Sequence, residues 1–194
     1  VNNSLGSNVI ESISKLENLT YLELSYNQIG PLNVSTFAKL KKLQTLKLKA
    51  TNISNISFGT FSHQGNMKDL DISDNNLGVF DMHMIYTMNG LTSLDVSGNG
   101  LSELANLDTA HLTFSILERI DLSNNKWSCM YLMRLIKIMK TYRVVLVQST
   151  IEEHQSNING IFCMHVEGED SIVPLTPENS NLTEIREKMN EIIF

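Results

Sequence analysis

The sequence carries no surplus of basic residues. Its 15 Lys and Arg stand against 21 Asp and Glu, giving a net charge of −6 and a pI near 5.3. A nucleic-acid binder shows a basic patch or stripe, so the balance argues against that class. It argues equally against a polybasic segment resting on an anionic membrane surface. Long hydrophobic runs are missing as well. The strongest, from Val144 to Val147, has four residues, where a membrane-spanning helix needs about 20. No charged-then-apolar leader stands at Val1, which does not make the chain cytosolic, because any leader is expected to precede it.

Catalytic signatures are absent too. The sequence holds no nucleophile–base arrangement and no phosphate-cradling loop, which points away from an enzyme and from any need of a cofactor. Cysteine is scarce, with only Cys129 and Cys163. Cys163, His165 and His154 come nearest to a metal-ligand set. They lack the paired tight spacing of zinc sites, so no metal is expected.

What the chain does have is a repeat. Leu91, Leu94, Val96 and Leu101 stand at offsets 0, 3, 5 and 10, with Asn99 at offset 8. The pattern recurs at Leu19/Leu22/Leu24/Asn27/Ile29, Leu43/Leu46/Leu48/Thr51/Ile53, Met67/Leu70/Ile72/Asn75/Leu77 and Leu117/Ile120/Leu122/Asn125/Trp127. Successive starts step by 24, 24, 24 and 26 residues. That is the leucine-rich-repeat consensus at a period inside its usual window. It implies an α/β solenoid, a horseshoe with a parallel concave sheet, in which each unit contacts only its neighbours. The apolar fraction of 42% allows a sizeable core.

Offsets 2 to 6 should form a short strand, and offsets 0, 3, 5 and 10 should point inward. Burial of each such Leu or Ile is worth roughly 1.5–3 kcal/mol. The asparagine should satisfy backbone groups opened by the turn after the strand. Thr51 in that slot predicts a locally weaker turn in an unbroken array. Leu32/Phe37/Leu40, Ile56/Phe61 and Phe80/Ile85/Met88 fall at offsets 13, 18 and 21 and should pack the convex side as helical turns or loops. The recurring aromatics read as core filling. The fourth repeat is two residues longer, with the addition within residues 102–115.

Counted backward, the period runs into the first residues. Asn3 and Leu5 fall on late strand-turn positions, and Ile13 and Leu16 on the convex apolar ones. The chain is therefore expected to be a piece of a longer one, with an incomplete first repeat. Periodicity stops after Trp127. Residues 129–139 carry apolar side chains at helical spacing, with Arg134, Lys137 and Lys140 on the other face. Residues 143–148 read as a strand that continues or closes the sheet, and residues 151–160 as a loop. The expected organisation is repeats over 1–127, a C-terminal cap over 128–173, and a linker with a short amphipathic helix over 174–194. In that last segment Leu182, Ile185, Met189 and Ile192 step by 3, 4 and 3, the seam of a coiled coil or of one helix folded back on the cap. In an oxidising compartment Cys129 and Cys163 should pair, stabilising the cap by several kcal/mol at most. Otherwise they are two buried thiols.

Asn2, Asn18, Asn33, Asn52, Asn55 and Asn181 each open an Asn-x-Ser/Thr sequon. Those from Asn18 to Asn55 lie outside the strand offsets, which would leave most of the concave face bare of sugar. That face is where a horseshoe offers a ligand surface. Its outward residues include Tyr21, Glu23, Lys47, Asp69, Asp71, Asp95, Arg119 and Asp121, together with serines at offset 6. The central column Glu23, Lys47, Asp71, Asp95, Asp121 is acidic with one basic interruption. It serves either solubility or a cationic partner.

The repeats, the lead-in to the cap at Asn124, Asn125, Lys126, Trp127, Ser128 and Cys129, the helix over 131–140 and the terminal seam resemble the leucine-rich-repeat immune proteins of mosquitoes. The resemblance implies a secreted haemolymph protein that pairs with a homologous leucine-rich-repeat chain and binds complement-like thioester proteins. No cysteine follows Cys163, so the family's intermolecular disulfide has no counterpart residue here. Toll-like and adhesion receptors share the repeats, though their caps usually carry four cysteines. An ectodomain fragment of such a receptor is the alternative reading.

Overall fold

A computed structural model describes residues 8–107, 110–147 and 156–165. In chain order its helices are α1 (Asn8–Ile13), α2 (His111–Ile116) and α3 (Cys129–Thr141). Its strands are β1 (Tyr21–Glu23), β2 (Thr45–Lys47), β3 (Asp69–Asp71), β4 (Phe80–Asp81), β5 (Ser93–Asp95), β6 (Leu104–Ala105), β7 (Arg119–Asp121), β8 (Val145–Leu146), β9 (Asn157–Ile158) and β10 (Ile161–Phe162). A six-stranded sheet runs β1-β2-β3-β5-β7-β8, and every pairing within it is parallel. This is the open solenoid sheet that the repeat implied. The strands are shorter than expected, three residues at offsets 2 to 4 in each repeat.

Why three residues suffice follows from the register. Leu22, Leu46, Leu70, Leu94 and Ile120 are aligned across the sheet and all point into the core. Each strand contributes one inward side chain between two outward ones, and the neighbours at offsets 0 and 5 lie inward beside it. Only Leu19 and Leu77 among the expected inward residues are no more than partly buried. Leu16, placed on a convex core position by counting backward, is instead 52% exposed. Residues 8–13 form α1 at the convex offsets of the preceding unit, where the sequence predicts helical turns, so the count fails at Leu16 alone among the described residues it placed. Ile13 packs against the core.

The convex side is more ordered than loops alone. Leu32 and Ile56 form a parallel bridge, and β4 pairs with β6 in parallel at the same offset two repeats on. Met82–Ile85 form a 3-10 turn capped by Asp81, whose carboxylate accepts the His83 amide at 2.8 Å. Phe37 and Phe61 stack with ring centroids 6.1 Å apart, fully inside, as core-filling aromatics should. At offset 21, between Leu40 and Met88, sits the buried polar Gln64. Its amide Nε2 donates to the Phe37 carbonyl at 2.8 Å, tying two repeats together.

Two recurring positions hold the turns. Offset 7 adopts positive φ in every repeat, at Tyr26, Ala50, Asp74, Gly98 and Asn124. Offset 8 then points its amide into the turn. Asn125 Nδ2 donates to the Leu122, Ser123 and Val96 carbonyls, while its Oδ1 accepts the Asn99 and Leu101 amides of the preceding repeat at 2.9 and 3.0 Å. Asn75 does the same for Thr51 and Ile53 and also donates to the Leu48 carbonyl at 2.8 Å. Thr51 Oγ1 donates to that same carbonyl. Asn99 and Asn125 make the same donation as Asn75, to the Ile72 and Val96 carbonyls. Where an asparagine Oδ1 would accept the Ile29 amide, the Thr51 backbone carbonyl accepts it at 3.1 Å, so the array continues unbroken.

The cap closes the end of the core. Ser128 Oγ accepts the Tyr131 amide at 3.1 Å and starts α3. The helix buries Leu132, Leu135, Ile136 and Met139 and leaves Arg134, Lys137 and Lys140 exposed. Residues 145–146 continue the sheet as β8. The expected loop over 151–160 is in part a hairpin, since β9 and β10 pair antiparallel. Asn159 and Gly160 both take positive φ between them, the two-residue turn that Asn-Gly favours.

Candidate functional site

Each concave side chain stands where its strand offset dictates, so the sheet register fixes the surface. One row of aligned residues reads Glu23, Lys47, Asp71, Asp95, Asp121, and the row beside it reads Tyr21, Thr45, Asp69, Ser93, Arg119. Tyr21, Glu23 and Arg119 are exposed, and Lys47, Asp69, Asp71, Asp95 and Asp121 are half-buried. All eight candidate contact residues therefore share one face.

Local bonds decide how much of each charge is available. Lys47 Nζ lies 2.7 Å from the Asp69 carboxylate, so the one basic interruption of the acidic row is answered from the neighbouring row. Tyr21 donates its hydroxyl to Glu23 at 3.2 Å, and that bond is the main reason its own ionisation is pushed up. Arg119 Nε donates to Ser93 Oγ at 2.9 Å. A second ion pair that the strand pattern did not single out joins Lys49 to Asp74 at 2.8 Å, and the Asp74 contact raises the Lys49 value.

The three aspartates of the central row also have work within the fold. Asp71 Oδ1 accepts the amide and hydroxyl of Ser73 at 3.0 and 2.7 Å. Asp95 Oδ1 holds Ser97 in the same way, and Asp121 Oδ1 accepts the Ser123 amide at 2.9 Å. Ser73, Ser97 and Ser123, which strand alternation places outward, are buried. Their hydroxyl position at offset 6 is turned under the strand end, and a recurring Asp-x-Ser spacing was the signal for it. Asp95 sits in register between Asp71 and Asp121. Burial raises its carboxyl above the usual range, the Ser97 bonds oppose this, and the charges of Asp121 and Asp71 add to it.

At the cap, Cys129 and Cys163 are joined in a disulfide with Cα atoms 5.0 Å apart, so Cys163 is not available as a thiolate ligand. Among the described residues no group of three His, Cys, Asp or Glu could hold a metal ion. No described helix is long and apolar enough to cross a membrane. Tyr131, which the sequence pattern placed only as part of the helix, reaches back to the fourth repeat. Its hydroxyl accepts the Leu104 amide at 2.8 Å and donates to the Leu104 carbonyl at 3.2 Å, and its ring stacks on Trp127. Burial raises its pKa.

Of the sequon asparagines, Asn18, Asn33, Asn52 and Asn55 are exposed and none belongs to a strand. Asn18 Oδ1 accepts from Lys42 Nζ at 2.7 Å, and Asn33 Oδ1 accepts the amide of its own sequon serine, Ser35, at 3.0 Å. Asn2, Asn181 and the seam residues Leu182, Ile185, Met189 and Ile192 lie outside the described residues.

Comparison with known proteins agrees with this architecture. The family described as "Leucine rich repeat" matches residues 1–53 and 41–101, together more than half of the 194 residues. No curated protein sequence matches the chain. Among solved structures it is similar to that of a TLR13–ssRNA13 complex, at 23% identity and a TM-score of 0.62, covering 72% of this chain and 19% of that one. It is also similar to the leucine-rich repeat domain of APL1B, a mosquito protein, at 20% identity and a TM-score of 0.59. That likeness covers 66% of this chain and 36% of the APL1B chain. Identities this low show the fold alone, and the chain spans well under half of either relative. Repeat phase, parallel register and family match converge, and the chain belongs to the leucine-rich-repeat family.

Proposed function

We propose that this chain is part of a secreted, non-enzymatic recognition or scaffold protein of innate immunity, and that it binds other proteins through its concave face. The observation that carries the reading is the continuous outward row from β1 to β7. One aligned row sets exposed Tyr21 and Arg119 at its two ends, and the row beside it carries the half-buried acidic strip of Asp71, Asp95 and Asp121. Tyr and Arg are the residue types that dominate binding energy at protein interfaces. The strip of Asp71, Asp95 and Asp121 repels polyanions, so a protein partner with basic residues is favoured over RNA. The Cys129–Cys163 disulfide supports an extracellular setting, because such bonds persist in oxidising compartments. The fold likeness to APL1B supports the mosquito-type reading, with a homologous repeat chain and a complement-like protein as partners and haemolymph as the location. In it, Leu182, Ile185, Met189 and Ile192 form the pairing seam and residues 128–173 the cap.

A receptor ectodomain is the second reading, favoured by the fold likeness to the TLR13 structure over 72% of this chain. Capture of extracellular-fluid proteins on the immobilised chain tests the concave face. Tyr21→Ser with Arg119→Ser should lower retention of the partner about tenfold, equivalent to roughly 1.4 kcal/mol, without changing the melting temperature by more than a degree or two. Undiminished retention would move the binding site off the sheet.

A further inference from the structure

The third repeat departs from its neighbours on one flank. Leu77, at the offset where Ile53 and Leu101 are fully buried, is only partly covered. Gly78 follows with φ +68, the Val79 amide turns back onto the Leu77 carbonyl at 2.8 Å, and Val79 is left 50% exposed. Leu77 and Val79, with Phe80, Asp81 and Met84, form one side of an open groove whose other side is Ser54, Asn55 and Ile56 of the preceding repeat. Val79 and Leu77 thus leave apolar surface beside the groove.

One wall of the groove also carries an acceptor asparagine. Asn55, Ile56 and Ser57 form a sequon, and the segment is clamped. Ile56 bridges Leu32 in parallel, the Asn55 carbonyl accepts the Leu32 amide, and the Ser57 amide donates to the Leu32 carbonyl. Ile56 points inward while Asn55 and Ser57 point out. Asn52, three residues earlier, does not line the groove and stands in a left-handed turn at φ +61.

We propose that Asn55 carries an N-linked glycan whose first N-acetylglucosamine units pack into this groove against Leu77, Val79 and Met84. In the transfer, the Asn55 amide nitrogen loses a proton and bonds to the anomeric carbon of the sugar, and the lipid diphosphate of the secretory-pathway donor leaves. The sugar rings present C–H faces and an acetyl methyl group to the aliphatic side chains, burying apolar surface on both sides. The glycan then covers the flank and leaves the concave sheet open. This rests on the reading that the protein is secreted.

The test expresses the chain through a eukaryotic secretory route and maps each sequon by mass spectrometry after enzymatic deglycosylation in heavy-oxygen water. Asn55 should be occupied in most molecules. Hydrogen exchange over residues 77–85 should then rise about tenfold when the glycan is removed enzymatically from the folded protein, or omitted by Ser57→Ala, while Ser57→Thr restores protection. Val79→Ser should lower the melting temperature in the glycosylated protein and have a smaller effect once the glycan is gone, because coupled neighbours are not additive. Occupancy elsewhere with Asn55 bare would overturn the proposal. So would occupancy at Asn55 with unchanged exchange over 77–85 and additive melting shifts, an outcome that leaves the groove to a protein partner. A chain with every sequon bare and Cys129 reduced would instead sink the secreted reading itself.

Discussion

Replacing Asn125 by alanine removes five hydrogen bonds from a buried turn, and the structure indicates which of them matter. The Val96, Leu122 and Ser123 carbonyls each keep another donor: Asn99 Nδ2, Trp127 Nε1 and the Gly98 amide. The Asn99 and Leu101 amides, which Asn125 Oδ1 accepts at 2.9 and 3.0 Å, have no second acceptor among the bonds described. Each buried amide left unpaired costs about 1–3 kcal/mol. Some of this is recovered where water enters the space vacated by the amide, so Asn125→Ala should destabilise the chain by roughly 2–5 kcal/mol. The neighbouring Asn124 is exposed and in the left-handed region, and Asn124→Ala should cost only about 1 kcal/mol of backbone strain. Urea unfolding followed by circular dichroism compares the two. Because repeats contact only their neighbours, hydrogen exchange should rise first around residues 96–101 and 122–127. Equal small losses for both variants would refute the view that the asparagine column joins successive repeats.

Cys129→Ser should lower cap stability by about 2–4 kcal/mol, read as a lower melting temperature matched by reducing wild type. An unchanged melting temperature would count against a structural role for the bond. Asp95 has its carboxyl raised by burial and by Asp121 and Asp71. Its contribution is therefore fully present below the unfolded carboxylate range and lost as pH rises through the folded value. Asp95→Asn keeps an acceptor for Ser97 and relieves two like-charge neighbours worth roughly 0.2–1 kcal/mol each. The variant should be at least as stable as wild type at pH 7 and less sensitive to pH in the acid range, as chemical denaturation across pH will show. Tyr26 holds φ +62 on the surface, so Tyr26→Asn should stabilise by about 1 kcal/mol. Gly98→Ala should destabilise, because the added methyl would meet Asp74 in a left-handed backbone. Thermal melts of the two should shift in opposite directions.

The array was legible because its signal is local: the phase of Leu, Leu, Leu and Asn fixes which side chains turn inward, and five copies leave one solution. The concave candidates were legible for the same reason, since Tyr21, Lys47 and Arg119 follow from offset alone. Partnership across the sheet was not, because Lys47 answers Asp69 one strand over and Lys49 answers Asp74, which depends on side-chain reach. The inward turn of Ser73 and Ser97 was hidden by the assumption that the strand alternation continues past its third residue. Gln64 escaped because a polar residue at a core offset looks like an exception until its bond to the Phe37 carbonyl is seen. The β9–β10 hairpin carried a local signal in Asn159 and Gly160 that polar surroundings outweighed. Leu16 misled in the other direction, since it stands exposed at a counted core position while Ile13, placed by the same count, packs against the core.

Binding through the concave sheet is tested most directly by measuring partner affinity for two surface variants of the same folded chain. One carries Tyr21→Ser and Arg119→Ser on the sheet, and the other carries Tyr86→Ser on the exposed convex turn. The concave variant should lose about tenfold or more in Kd while the convex variant keeps wild-type affinity. Loss with Tyr86→Ser and none with the concave pair would contradict the assignment.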